Sequence, residues 1–206
     1  MRKIMWIVAL FLAVTATANA ASLTVNNACA LNATTWGLEI NKSTVGDAYV
    51  RSDHPTDETH MLIRFWIDPG NINIPLVAGG NYFQFLRGGH EGVGATLIAF
   101  LKRATGSGNY RLTVYVKRDD GPNVYKLAGE GFLTTFGGPP AQVEIEWSRG
   151  NPGTVTGKVN GAQIFTSTVL NVAAEIDTVR WGVFAGDGPA ISGDATMCLD
   201  EYESYR

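Results

Sequence analysis

Apolar and polar side chains alternate with a period of two through segment after segment of this chain, and that alternation constrains the fold more than any other feature. From Thr59 to Asp68, the residues Met61, Ile63, Phe65 and Ile67 share one face while Leu62, Arg64 and Trp66 share the other. From Tyr110 to Lys117, Leu112, Val114 and Val116 alternate with Arg111, Thr113, Tyr115 and Lys117. From Gln142 to Trp147, Val143, Ile145 and Trp147 lie opposite Glu144 and Glu146. A helix would bring its apolar stripe round every three to four residues, so these segments read as half-buried strands. Thr178 to Phe184 and Asp194 to Tyr205 read as late strands. Ala95 to Leu101 is apolar on both faces, as in a central strand. Shorter strands are expected at Trp36 to Ile40, Ala48 to Arg51, Tyr82 to Leu86 and Asn123 to Ala128.

Turn signals separate these runs: Asp68-Pro69-Gly70, Gly79-Gly80-Asn81, Gly106-Ser107-Gly108, Asp119-Asp120-Gly121, Gly137-Gly138-Pro139-Pro140 and Asn160-Gly161. Strands at such regular spacing imply an all-β antiparallel sandwich. No segment carries a helical period, and no linker or internal repeat divides the chain. One domain is expected, from residue 21 to 206.

The first twenty residues read as a secretory signal. Arg2 and Lys3 give the positive start, Ile4 to Val14 is almost unbroken apolar, and Ala18-Asn19-Ala20 has a small-x-small cleavage form. The apolar run is short for a membrane span, and no cysteine follows the cut to carry a lipid anchor. A mature chain starting at Ala21, secreted or periplasmic and of bacterial type, is the expectation. Export gives meaning to the two cysteines, Cys29 and Cys198: in an oxidising compartment they should pair. Loss of Arg2 and Lys3 takes Lys and Arg from 16 to 14 against 19 Asp and Glu, a net charge of −5. With no basic run, nucleic acid is excluded as a partner, and no basic amphipathic helix points to a membrane surface.

The later motifs carry a family resemblance. Val143-Glu144-Ile145-Glu146-Trp147 is followed by a Gly-rich turn, Gly157-Lys158-Val159-Asn160-Gly161 and Val179-Arg180-Trp181-Gly182. The chain closes on Ser192-Gly193 and Leu199-Asp200-Glu201-Tyr202-Glu203-Ser204. Earlier, Trp36-Gly37-Leu38, Ala48-Tyr49-Val50, Pro55, Glu58 and Arg64-Phe65 fit the same order. This resembles the concanavalin A-like jelly roll, in its laminin-G-like branch of exported bacterial proteins. The resemblance implies two curved sheets. It implies binding of a glycan or a protein partner, or, in some members, cleavage of polysaccharides. It also raises a structural calcium tying a loop to the last strand, with Asp200 and either Asp47 or Asp53 as carboxylate ligands.

Candidate chemistry is sparse. Glu144 and Glu146 share a strand face at about 7 Å, a spacing compatible with a glycosidase acid pair. Laminarinase-like members of the fold carry Glu-x-Asp-x-x-Glu. Here Arg149 stands in the last position and Glu146 in the middle one, so the full triad is absent and a solvated face is the simpler reading. His54, His60 and His90 lack zinc-site spacing although Asp57, Glu58 and Glu91 lie beside them. Gly88-Gly89-His90-Glu91-Gly92-Val93-Gly94 lies between strands and reads as a hairpin or loop, not a phosphate cradle. No Gly-x-Ser-x-Gly elbow is present. Arg64, Trp66, Arg111 and Tyr115 oppose the more apolar stripes of their strands, and such pairs suit sugar recognition: rings stack on pyranose faces and guanidiniums bond hydroxyls. The reading is a noncatalytic carbohydrate- or protein-binding module. A polysaccharide-degrading hydrolase or lyase and a structural envelope protein are the alternatives.

Overall fold

The computed structural model describes residues 22–42, 47–70, 72, 74, 82–90, 94–104, 108–119, 124–184 and 195–205. The segment read as a secretory signal lies outside them, as do the turns at 79–81 and 121. Thirteen strands appear among the described residues: β1 (Ser22–Asn26), β2 (Gly37–Lys42), β3 (Ala48–Glu58), β4 (His60–Asp68), β5 (Tyr82–His90), β6 (Gly94–Arg103), β7 (Tyr110–Lys117), β8 (Tyr125–Thr134), β9 (Ala141–Ser148), β10 (Gly153–Val159), β11 (Ala162–Val169), β12 (Ile176–Val183) and β13 (Ala195–Tyr205). No helix among them is long and apolar enough to cross a membrane.

The strands form two antiparallel sheets. One has the order β1-β2-β13-β4-β9-β10-β11, the other β3-β12-β5-β6-β7-β8. The alternation read from the sequence explains their packing. Met61, Ile63, Phe65 and Ile67 of β4 and Val143, Ile145 and Trp147 of β9 face inward and are almost fully buried. They meet Leu97, Ala99 and Leu101 of β6 and Leu112, Val114 and Val116 of β7 in one core. Each such Leu, Ile or Phe contributes on the order of 1.5–3 kcal/mol by leaving water.

The sheets close at one side by the approach of β11 to β8. Phe165 lies where a Cβ on Gly129 would meet its ring at 2.1 Å, and one on Gly157 would meet it at 2.3 Å. Ile164 lies 2.5 Å from the corresponding point of Gly131. These glycines leave room for the two side chains, so the absence of a side chain in the strands is a packing requirement. Asn160 and Gly161 both have positive φ, as a tight hairpin turn between β10 and β11 requires.

Cys29 and Cys198 are disulfide-bonded, with Cα atoms 5.1 Å apart and 169 residues of separation. The bridge ties the loop after β1 to the last strand, beside Gly37, where a Cβ would strike the Cys29 carbonyl oxygen at 1.8 Å. Asp200 ties the same loop: its carboxylate accepts the Leu31 N–H at 2.6 Å and the Thr34 hydroxyl. A bulge between Asp200 and Glu203, with Glu201 at φ 47°, turns that carboxylate toward the loop.

Candidate functional site

The outer face of the six-stranded sheet gathers cations and aromatic rings. Strand register defines it. Across β5 and β6, Tyr82 lies opposite Lys102, Gln84 opposite Phe100, and Arg87 opposite Ile98. Across β6 and β7, Lys102, Phe100 and Ile98 face Arg111, Thr113 and Tyr115. On the other side Arg87 pairs with Arg180 of β12, and Arg180 with Arg51 of β3. The intervening Phe83, Leu101, Leu112 and Val179 are core residues, so these side chains point away from it. Between Gln84 and Leu86 the register shifts, and Phe85 and Leu86 are both buried; the bulge restores Arg87 to the outer face.

An aromatic ridge crosses the face. Tyr82 and Phe100 meet edge-on at 5.4 Å, and Phe100 and Tyr115 at 5.6 Å. Burial and a hydrogen bond to Tyr82 raise the Tyr115 pKa, so its phenol holds its proton. Beside the ridge, Glu130 accepts from Lys102 at 2.8 Å, Arg111 at 2.7 Å and Thr113 at 3.2 Å. Burial works against the charge of Glu130, but the bonds from Lys102 and Arg111 outweigh it and hold the carboxyl below its usual range.

Two guanidiniums lie against rings. Arg180 sits over Tyr49 at 5.2 Å and Arg87 over Phe184 at 4.4 Å, while Tyr49 and Phe184 stack at 5.8 Å. The Nε of Arg180 is shielded from solvent and has no hydrogen-bond partner among the described residues. A buried orphan donor on a cation is costly, and an anionic oxygen would satisfy it; the Nε of Arg64 also makes no hydrogen bond but lies 3.4 Å from the Glu144 carboxylate. Arg180 and Arg87 line a cavity of about 120 Å³ with Gly89, His90, Gly94, Ala95 and Thr178. At its rim, His90 Nδ1 lies 2.9 Å from Asp57 and 3.0 Å from Asp177. The hydrogen bond to Asp57 raises the His90 pKa; burial opposes it, and the charges of Asp177 and Glu175 add to the rise.

The residues singled out in the sequence divide between the two outer faces. Arg111 and Tyr115 belong to the face just described. Arg64 and Trp66 lie on the opposite side of the sandwich, on β4. There Arg64 is held by Glu144 and Glu203, each at 3.4 Å. Glu144 and Glu146 do share that outer face, but Glu144 also meets Lys158 at 3.4 Å and Glu146 meets His60 at 3.1 Å. Each carboxylate thus has a cationic or imidazole neighbour. Of the calcium candidates, Asp200 holds the loop hydrogen bonds, Asp53 pairs with Arg51, and Asp47 is exposed. The one group of three metal-capable side chains among the described residues is Asp57, His90 and Asp177.

Sequence reading missed Tyr82, Gln84, Arg87 and Arg180 as face residues. The register that assembles them is set between strands distant in sequence, and the Phe83-Gln84-Phe85-Leu86 run hides which side chain points out.

No family model and no curated protein matches the chain. Solved structures do. An endo-β-1,4-glucuronan lyase from the fungus Trichoderma reesei is similar with a TM-score of 0.60 at 11% identity, over 90% of this chain and 87% of that one. The cellulose-induced protein Cip1 is similar at 0.59 and 16%, over 91% and 86%. The alginate lyase Aly36B, as a mutant in complex with an alginate trisaccharide, is similar at 0.56 and 15%, over 82% and 81%. These likenesses show the fold, a concanavalin A-like jelly roll.

Proposed function

We propose that the protein binds an acidic polysaccharide across the outer face of its six-stranded sheet. The observation that carries this reading is Arg180, whose shielded Nε has no partner and which lines a cavity with Arg87. A uronate carboxylate supplies the anionic oxygens such a site requires, and guanidinium–carboxylate pairing is strong and directional. The ridge of Tyr82, Phe100 and Tyr115 offers surfaces for neighbouring sugar rings. The similar structures agree with a carbohydrate role, since two of them are lyases of acidic polysaccharides by name.

A second reading is cleavage of the same chain by β-elimination. It needs a group to share the carboxylate charge, a base for the sugar C5 proton and an acid for the leaving oxygen. Arg180 suits the first role, and the protonated Tyr115 suits the last. No base for the C5 proton is identified among the described residues of this face, which is why binding ranks first.

The test is a panel of alginate, polyglucuronate and neutral glucans with the chain from Ala21 onward. Binding to the uronates, weakening with salt, and none to the neutral glucans is the expected result. Equal binding to neutral glucans, or none to any uronate, would refute the reading. Ultraviolet absorbance of unsaturated uronate ends, followed in the same samples, reports elimination and would promote the second reading.

A further inference from the structure

We propose that Asp57, His90 and Asp177 form a site for a single divalent transition-metal cation, with Zn²⁺ as the test ion. The three residues come from β3, β5 and β12, which lie side by side in the order β3-β12-β5. Their convergence is set by strand register. Asp177 sits at the register shift between Ile176, which is in the core, and Thr178, which pairs with Gly89. The extra residues lie on β3, where 54–57 stand opposite Asp177 alone, and such a bulge re-aims a side chain: here the Asp57 carboxylate reaches His90.

The donor set distinguishes between metals. Calcium and magnesium favour shells of oxygen, whereas an imidazole nitrogen with two carboxylates suits zinc and its neighbours. The spacing agrees. Metal–ligand bonds of about 2.0–2.1 Å in a tetrahedron place ligand atoms about 3.3 Å apart. The Nδ1 atom stands 2.9 Å from one carboxylate oxygen and 3.0 Å from the other. All three ligand atoms lie within 4.8 Å of one another. The ion needs the imidazole edges to widen by a few tenths of an ångström and the two carboxylate oxygens to stand about 3.3 Å apart, inside the 4.8 Å that spans the group. One ring proton serves two carboxylates incompletely, while a divalent cation engages all three groups and balances the two negative charges. A fourth ligand would come from water or a ligand oxygen, and His90 also lines the cavity shared with Arg87 and Arg180.

Other charges near the site act in both directions. Arg87 and Arg180 on the cavity wall oppose a cation, and Glu175, which is 2.9 Å from Arg149, favours one. The metal site itself does not depend on the glycan reading.

The experiment is calorimetric titration of the chelator-treated chain with Zn²⁺, with nuclear magnetic resonance on the histidine rings. The expected result is one ion per chain and a shift of the His90 resonances. H90A and D177N should each weaken binding at least about tenfold, the scale on which even an outer-shell partner counts. H60A removes the exposed His60–Glu146 pair, at 3.1 Å, and should change nothing. Melting curves establish that each variant is folded, and D177N preserves side-chain shape if H90A does not fold. Absence of one-to-one binding, binding that survives both H90A and D177N, loss in H60A instead, or a preference for Ca²⁺ would each overturn the proposal.

Discussion

Arg180 and His90 line one cavity and are held by opposite means. Arg180 lies on an aromatic ring with its Nε unsatisfied, while His90 is enclosed by carboxylates. The raised pKa of His90 has a definite sign in stability. Its contribution is fully present below the unfolded value of about 6.5 and is lost as pH rises through the higher folded pKa. Glu130 has the opposite sign: its contribution is present above the unfolded carboxylate value and is lost as pH falls through its depressed folded pKa. The D57N variant removes the largest cause of the His90 shift. A histidine titration by nuclear magnetic resonance should show the His90 pKa falling toward the ordinary value, and an unmoved pKa would show that Asp57 does not set it.

Among the elements, legibility in the sequence follows the packing. Strand β7 runs from Tyr110 to Lys117 as the alternation predicts, because one of its faces is core and the other is not. No alternation marks β1, β10 or β11 as strands, although Asn160-Gly161 marks the turn between the last two. Strand β11 is an edge strand with most of its side chains at least partly exposed, so no apolar stripe marks it. The strand signal of β5 stops at Leu86, but the strand continues through Gly88 and Gly89, whose lack of side chains gives no periodic signal. The candidate site was legible only in Arg111 and Tyr115, since alternation says which residues share a strand face but not which sheet that face belongs to. The approach of β11 to β8 gives its own prediction. G129A places a methyl group into the Phe165 ring and should cost about 1–3 kcal/mol, the scale of overpacking, measured by urea unfolding. Unchanged stability would mean that β11 shifts freely and does not seal the core.

At the scale of the whole molecule, two devices fix the ends of the described chain to each other. The Cys29–Cys198 bridge closes a loop of 169 residues, for which chain entropy gives on the order of 5 kcal/mol. Asp200 adds hydrogen bonds from the Leu31 N–H and the Thr34 hydroxyl. The disulfide accords with export, which we propose for this protein together with the processed start at Ala21. The sandwich then presents two dissimilar outer surfaces. On one, Arg64, Lys158 and His60 are matched by Glu144, Glu203 and Glu146. On the other, Glu130 matches Lys102 and Arg111 and Asp53 matches Arg51, while the Nε of Arg180 has no hydrogen-bond partner among the described residues and Arg180 lines a cavity with Arg87. A protein with a negative net charge can therefore offer an acidic polymer one favourable face.

The most direct test of that claim compares R180A with R64A for binding to a uronate polymer. The two substitutions remove the same charge from opposite faces. The account predicts that R180A weakens binding at least about tenfold, the worth of a charged hydrogen bond of roughly 1.5–3 kcal/mol, and that R64A leaves it unchanged. Binding lost in R64A and kept in R180A would place the polymer on the other sheet and contradict the account.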